Sequence, residues 1–390
     1  MQLTESKKRR ARIITVFATF LAFMGIGVVD PILPSIAEQI GATKWQVEML
    51  FTSYIFTMAI MMLPAGLLAG KFGDKPMMVT GLAIVTVFAL LCGFSHTILE
   101  LSLFRAGWGL GNAFFFATAM TLLIALSNEA SAAIGLYEAA IGLGMAGGPL
   151  VGGILGGYTW RYPFIATGLL ILAAFMLVSL LVKVPPQTNK RKTAGFKEMG
   201  HLFSYPPFLQ GALAGMLYNY GFFTVLAYSP LVLGVSAIQL GLIFFGWGLC
   251  LAYGSAILSH KLEQKYSPKY MLRYSLLVFS LFLFLLFFVK IMWVQIVLIM
   301  LSGLVSGLNN ALFTTHVMGS SPYERGVTSG VYNFVRWMGA GFAPILSGVF
   351  GHMLSPHAPF GISGIIVLIG VAIMFLPVRD SEGILAASRN

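Results

Sequence analysis

Blocks of about 20 predominantly apolar residues recur twelve times along this chain of 390 residues, and that recurrence decides what the chain can become. A helix of that length crosses a hydrocarbon core about 30 Å thick. Within lipid, only helices and closed barrels satisfy their own backbone polar groups. With 58% of residues hydrophobic and 9% charged, against about 25% charged in a soluble domain, nearly the whole chain is membrane-embedded. Short loops leave no room for a soluble catalytic domain, and no enzyme is expected.

The spans fall at about 13 to 35, 46 to 70, 76 to 95, 98 to 126, 131 to 157 and 161 to 183, then 207 to 232, 237 to 259, 270 to 289, 292 to 317, 326 to 350 and 358 to 378. Both termini then share one face. That face collects 19 of the 24 basic residues, including Lys7, Lys8, Arg9, Arg10 and Arg12, while Lys44, Arg161 and Lys290 stand opposite. The imbalance predicts cytoplasmic termini in a multi-pass protein of the cell membrane. The first block is too long for a signal-peptide core and lacks a small-residue cleavage site, so it is expected to stay in the mature chain. The net charge of +11 reports orientation, since nucleic-acid binding needs a basic patch on a folded surface.

Cys92 and Cys250 lie inside apolar blocks in different halves, which leaves neither a disulfide framework nor a zinc site. The histidines show no metal-ligand spacing, and no phosphate-binding or dinucleotide fingerprint follows a strand. No metal and no cofactor are expected.

A polar stretch from Pro185 to about Ser204 divides the chain near its midpoint. Sliding the chain by 195 residues lays Glu129 on Glu324, Tyr137 on Tyr332, Gly144 on Gly339, Pro149 on Pro344 and Gly153 on Gly348, so span five repeats as span eleven. Parallel repeats six spans apart match the two halves of transporters that rock about a midplane cavity. The expected fold is therefore all-α: twelve transmembrane helices in two pseudo-symmetric six-helix bundles. The expected parts are a basic segment 1–12, a bundle 13–184, a linker 185–206, a bundle 207–378 and a tail 379–390.

Span five reads Gly142-Leu-Gly144-Met-Ala-Gly147-Gly148-Pro149-Leu-Val-Gly152-Gly153. The glycines strip one helix face for close approach, and Pro149 removes a backbone donor. The whole string resembles the antiporter motif of the major facilitator superfamily, in particular its twelve-span drug:proton antiporters, and the resemblance covers essentially the entire chain. The stretch Gly66-Leu-Leu-Ala-Gly70-Lys71-Phe-Gly73-Asp74-Lys75 is similar to the family's gating loop. Gly70 stands where the family usually has an aspartate, and Asp74 where it usually has a base. The resemblance assigns gating or packing to Gly66, Gly70, Gly73, Asp74, Lys75, Gly142, Gly144, Gly148, Pro149, Gly153 and Pro344.

Span four carries Arg105, in a segment similar to the family's R-x-x-q-G-x-g pattern with Trp108 for the usual glutamine. A guanidinium at depth faces a cavity or a counter-charge, or else snorkels to the headgroups; the family pattern places it inward. Asp30, just before a P-x-x-P signature ending span one, and Glu138 in span five are the two carboxylates placed at depth. A carboxyl group holds its proton in a dry setting and releases it beside an arginine. Asp30, Glu138 and Arg105 are thus the candidate proton-coupling residues, with Glu138 alternatively a structural partner of Arg105 or of its own helix.

In the second half Arg336 is the basic residue at depth, satisfied by carbonyls, by Asn309 or Asn310, by substrate, or by an acid of the other half. Tyr218, Asn219, Tyr220, Asn309, Asn310, Tyr332, Asn333, Arg336 and Trp337 mix aromatic faces with amides, a lining suited to amphipathic ligands. The expected function is export of small amphipathic compounds in exchange for protons by alternating access. The alternatives are a dedicated exporter of one metabolite, siderophore or sugar, and, from a different class, a non-transporting receptor or scaffold. The expected partners are substrate, protons and the bilayer; a monomer is the expected unit, with no nucleic acid.

Overall fold

The computed structural model describes residues 4–127, 130–183, 196–323 and 325–378. Its long helices are α1 (Glu5–Gly27), α2 (Lys44–Phe72), α3 (Asp74–Phe94), α4 (Ile98–Ala125), α5 (Ala130–Gly156) and α6 (Arg161–Leu181), followed by α7 (Pro206–Phe223), α8 (Ala237–Tyr253), α9 (Pro268–Phe288), α10 (Met292–Ser320), α11 (Arg325–Met353) and α12 (Ala358–Phe375). Ten of the described segments are long and apolar enough to cross a membrane, and α7 and α11 complete the twelve. We call the face where α1 begins and α12 ends the terminal face.

Local chemistry sets the breaks. After α1 the chain turns through a 3-10 turn, Asp30–Ile32, into a short helix, Leu33–Ile40, because Pro31 and Pro34 bring no N–H to the helical ladder. The first span is therefore interrupted by a 3-10 turn where a single α-helix is expected. Helix α7 runs on through a wide π-turn, Thr224–Tyr228, to Pro230–Leu233, and α8 through a second, Gly254–Leu258, to Ser259–Glu263. At the face opposite the termini, Thr43 with Gln46, Thr97 with Glu100 and Ser236 with Gln239 form reciprocal caps that start α2, α4 and α8. The expected basic segment is helical from Glu5 onward, and most of the expected linker lies outside the described residues, as does the tail 379–390. A short helix, Phe196–Leu202, occupies the linker's end.

Within the first half α3 packs on α4 and α6, α2 on α4, and α1 on α5 and α6; within the second, α9 packs on α12 and α10, α7 on α11 and α12, and α8 on α10. Two seams join the bundles, α5 against α8 and α2 against α11. Since lipid is as apolar as leucine, such seams are held by dispersion at close approach. A Cβ added to Gly153 of α5 would lie 2.6 Å from the Ala237 carbonyl oxygen and 2.7 Å from Gly241 Cα on α8. In the other seam a Cβ on Gly348 of α11 would lie 2.9 Å from Trp45 Cα and 3.5 Å from Glu48 Cγ on α2, and Thr52 Oγ1 donates to the Gly341 carbonyl at 3.1 Å. Toward the terminal face α2 and α11 part: a Cβ on Gly66 or Gly330 meets no atom within 4 Å, and Ile60 is 54% exposed. Toward the opposite face both seams are tight, and at Gly66 and Gly330, nearer the terminal face, no such close approach is formed.

Candidate substrate and coupling site

Arg105 sits two turns into α4 and is fully buried, so it does not snorkel. Its guanidinium carbon lies 4.3 Å from the centre of the Tyr54 ring on α2 and 4.8 Å from that of Trp108. The Tyr54 hydroxyl in turn accepts from Asn112 Nδ2 at 2.6 Å. None of the three Arg105 nitrogens has a hydrogen-bond partner. An arginine at a helix centre costs roughly 2.5–3.5 kcal/mol on insertion scales, and a desolvated cation–π contact returns about 2 kcal/mol. Two ring faces are thus of the right size to hold the cation without a direct ion pair, which leaves its field to act on neighbouring acids.

Asp30 is one of those acids. It is fully buried in the turn after α1, within electrostatic range of Arg105, and both its carboxyl oxygens lack hydrogen-bond partners. A third acid at depth escaped the sequence reading. Glu48 of α2 is also fully buried with both oxygens unpartnered, and it interacts electrostatically with Asp30. It was missed because it falls two residues inside the expected start of span two, where a polar boundary residue is ordinary. The signal was its spacing: Glu48 shares a helix face with Phe51, Thr52 and Ile55, all buried. Glu138 lies on α5, and its side chain falls outside the described residues.

The second-half candidates divide. Tyr218 packs between Phe279 and Phe313 at ring distances of 5.3 and 5.5 Å, and its hydroxyl donates to the Ser306 carbonyl at 2.9 Å. Asn219 Nδ2 donates to the Gly215 carbonyl of its own helix at 2.9 Å, and Asn309 Oδ1 accepts from Ser275 Oγ at 2.5 Å. These three have polar atoms engaged inside the second bundle, and Tyr220 is buried beside them. Asn310 is half-buried, its carbonyl accepting from Thr314 Oγ1 at 2.9 Å. Tyr332, Asn333, Arg336 and Trp337 instead gather on two adjacent turns of α11. The Arg336 guanidinium lies 5.5 Å from the Tyr332 ring and 5.3 Å from the Trp337 ring, and Trp337 in turn lies 5.6 Å from Phe223. Asn333 Nδ2 donates to Ser329 Oγ at 3.2 Å, and Arg336 Nε is buried without a partner.

The small-residue motif forms tight contacts. A Cβ on Gly144 would lie 2.6 Å from the Phe20 carbonyl oxygen of α1, and one on Gly148 would fall on that of Met24. On Gly142 it would meet Ala252 of α8 at 2.9 Å. The Pro149 ring packs against Gly27, and α5 and α11 each run through their prolines, Pro149 and Pro344, unbroken. In the gating loop Gly73 has φ +92° and ends α2, Asp74 is buried in the first turn of α3, and Lys75 Nζ donates to the Ser179 carbonyl of α6 at 3.0 Å. Gly66 and the half-buried Gly70 lie on the preceding turns of α2.

The Major Facilitator Superfamily model matches residues 15–343 and 233–389. The chain is 38% identical over 372 residues to the multidrug efflux protein YfmO of Bacillus subtilis, covering 95% of this chain and 93% of that one. It is 26% identical over 378 residues to multidrug resistance protein 1 of the same organism, covering 94% and 96%. In fold it resembles the crystal structure of a bacterial homologue of the human lysosomal transporter Spinster, inward-facing and unoccupied, with a TM-score of 0.81 at 15% identity over 96% and 97% of the two chains.

Proposed function

The chain belongs to the major facilitator superfamily, and from that premise we propose that it exports small amphipathic compounds from the cell in exchange for protons, by alternating access between its two bundles. The observation that carries this reading is the buried Asp30, without a hydrogen-bond partner and under the field of the partnerless Arg105. The charge on an acid in that setting is set by how close the guanidinium stands, so motion of one against the other moves a proton. The relative of 38% identity, named for multidrug efflux, supports a broad set of substrates.

In this mechanism the terminal face is cytoplasmic, as its excess of basic residues supports. The state described above then opens inward. Substrate rises between α2 and α11 to the aromatic and amide side chains of Tyr332, Asn333, Arg336 and Trp337, and Asn310 adds an amide from α10. Asp30, or Glu138 of α5, gives up its proton to the cytoplasm as Arg105 approaches, and the empty acid is reloaded from outside after the bundles rock.

The test is reconstitution into liposomes with an internal pH dye. Addition of an amphipathic aromatic cation and of a zwitterionic aromatic acid should each drive proton movement, while a sugar should not. Response to one chemical class alone would point to a dedicated exporter. Substrate uptake with no proton movement would overturn antiport.

A further inference from the structure

We propose that Glu48 is the acid that couples proton uptake to closure of the seam at the opposite face: it loads a proton when α2 and α11 are apart and must keep it for them to close. The inference rests on the antiport reading above and assigns to that reading a residue it did not use.

Three observations meet at this side chain. First, Glu48 lies in the seam itself. The α11 backbone at Gly348 passes over its stem, with 3.5 Å from a Cβ there to Glu48 Cγ, and Thr52, one turn on, bonds across to Gly341. Second, the seam is dry: Glu48 is fully buried and neither carboxyl oxygen has a hydrogen-bond partner. Third, the fold does not need an acid there. Laying the cap at Thr43 and Gln46 on the matching cap at Ser236 and Gln239 sets Glu48 on Gly241. Gly241 is the residue that Gly153 meets in the other seam, as Gly348 meets Glu48 in this one. The two seams are the same contact used twice, once glycine on glycine and once glycine on a glutamate.

The groups facing Glu48 are few. Asp30 reaches it from the turn after α1, Tyr228 from the π-turn after α7, and Arg105 acts at one remove through Asp30. Helix α11 presents glycine at that level, and His352, one turn further on, is exposed. No described cation contacts the Glu48 carboxylate, so closing the seam over the ionised form would strand a charge beside a second acid. Closing it over the neutral form removes that cost. In the open state water reaches the carboxyl, which then exchanges its proton with the outer solution. The sign follows directly: closure is favoured over the neutral carboxyl, so acid closes the outer seam and base opens it.

The experiment needs no substrate. With Cys92→Ala and Cys250→Ala as background, spin labels at Lys44→Cys and Met353→Cys, both exposed at the ends of α2 and α11, report the seam by electron–electron distance. In otherwise wild-type protein the open fraction should rise on the order of tenfold between about pH 5 and pH 9. Glu48→Gln should stay closed at every pH, and Glu48→Asp should keep the response with a shifted midpoint. A pH-insensitive distance without a Glu48 substitution, or a wild-type response in Glu48→Gln, overturns the proposal. Should the glutamine variant fail to insert, an unshifted Glu48→Asp midpoint overturns it instead. Absence of drug-driven proton flux in liposomes would count against antiport and leave this seam response intact, so the two failures are distinguishable.

Discussion

The guanidinium of Arg105 on α4 stacks 4.3 Å from the Tyr54 ring on α2, and so ties the one permanent charge described in the core of the first bundle to the helix that carries Glu48. A shift of α2 relative to α4 would thereby be felt by Arg105, and through it by Asp30.

Arg105→Ala should lose substrate-driven proton flux altogether. Arg105→Lys should keep substrate binding but lose most of the flux, because an ammonium lacks the planar face that stacks on both rings and can itself deprotonate when desolvated. Parallel measurement of equilibrium binding and pH-driven flux checks this; full coupling in the alanine protein would reduce Arg105 to packing.

Asp30→Asn keeps shape but cannot titrate, so it should abolish uphill transport driven by a pH gradient while substrate still equilibrates across the membrane. The same measurement on Glu138→Gln separates the two acids: the carrier is the one whose amide uncouples.

Gly144→Leu and Gly153→Leu should insert normally yet transport poorly. The added side chains collide with the Phe20 and Ala237 carbonyls, contacts already at 2.6 Å for a bare Cβ. Overpacking of this kind costs about 1–3 kcal/mol. Transport rates compared at equal membrane abundance test it, and normal turnover in both proteins would count against tight seams.

Gly73→Ala forces a side chain into a backbone region, φ +92° and ψ 157°, that essentially only glycine adopts. The expected loss is roughly 1–3 kcal/mol, read as a lowered thermal unfolding temperature in detergent. Lys75→Met, which removes one half-buried bond to Ser179, should cost less than about 1 kcal/mol.

Much of this was legible in the sequence, for reasons that differ by residue. Arg105 was conspicuous because a guanidinium within an apolar run has few places to go, and the span-five glycines because their spacing repeats in span eleven. The 3-10 turn at Pro31 and the π-turns after α7 and α8 were not legible from a hydropathy pattern, which has the same period on either side of a break. Tyr218 and Asn309 resembled ligand contacts by type alone, and side-chain type does not reveal that Ser306 and Ser275 already engage them. Glu48 was hidden by its place at a span boundary, where depth depends on what α11 lays over it.

The glycine-on-backbone seams also limit how this protein can change under selection. Any amino acid that replaces glycine brings a Cβ, so at Gly153, Gly241 and Gly348 no milder substitution exists. Those positions form a mutationally brittle spine. On the proposed export role, new compound ranges would then arise at Tyr332, Asn333 and Trp337 of α11, where a substitution leaves these close contacts untouched.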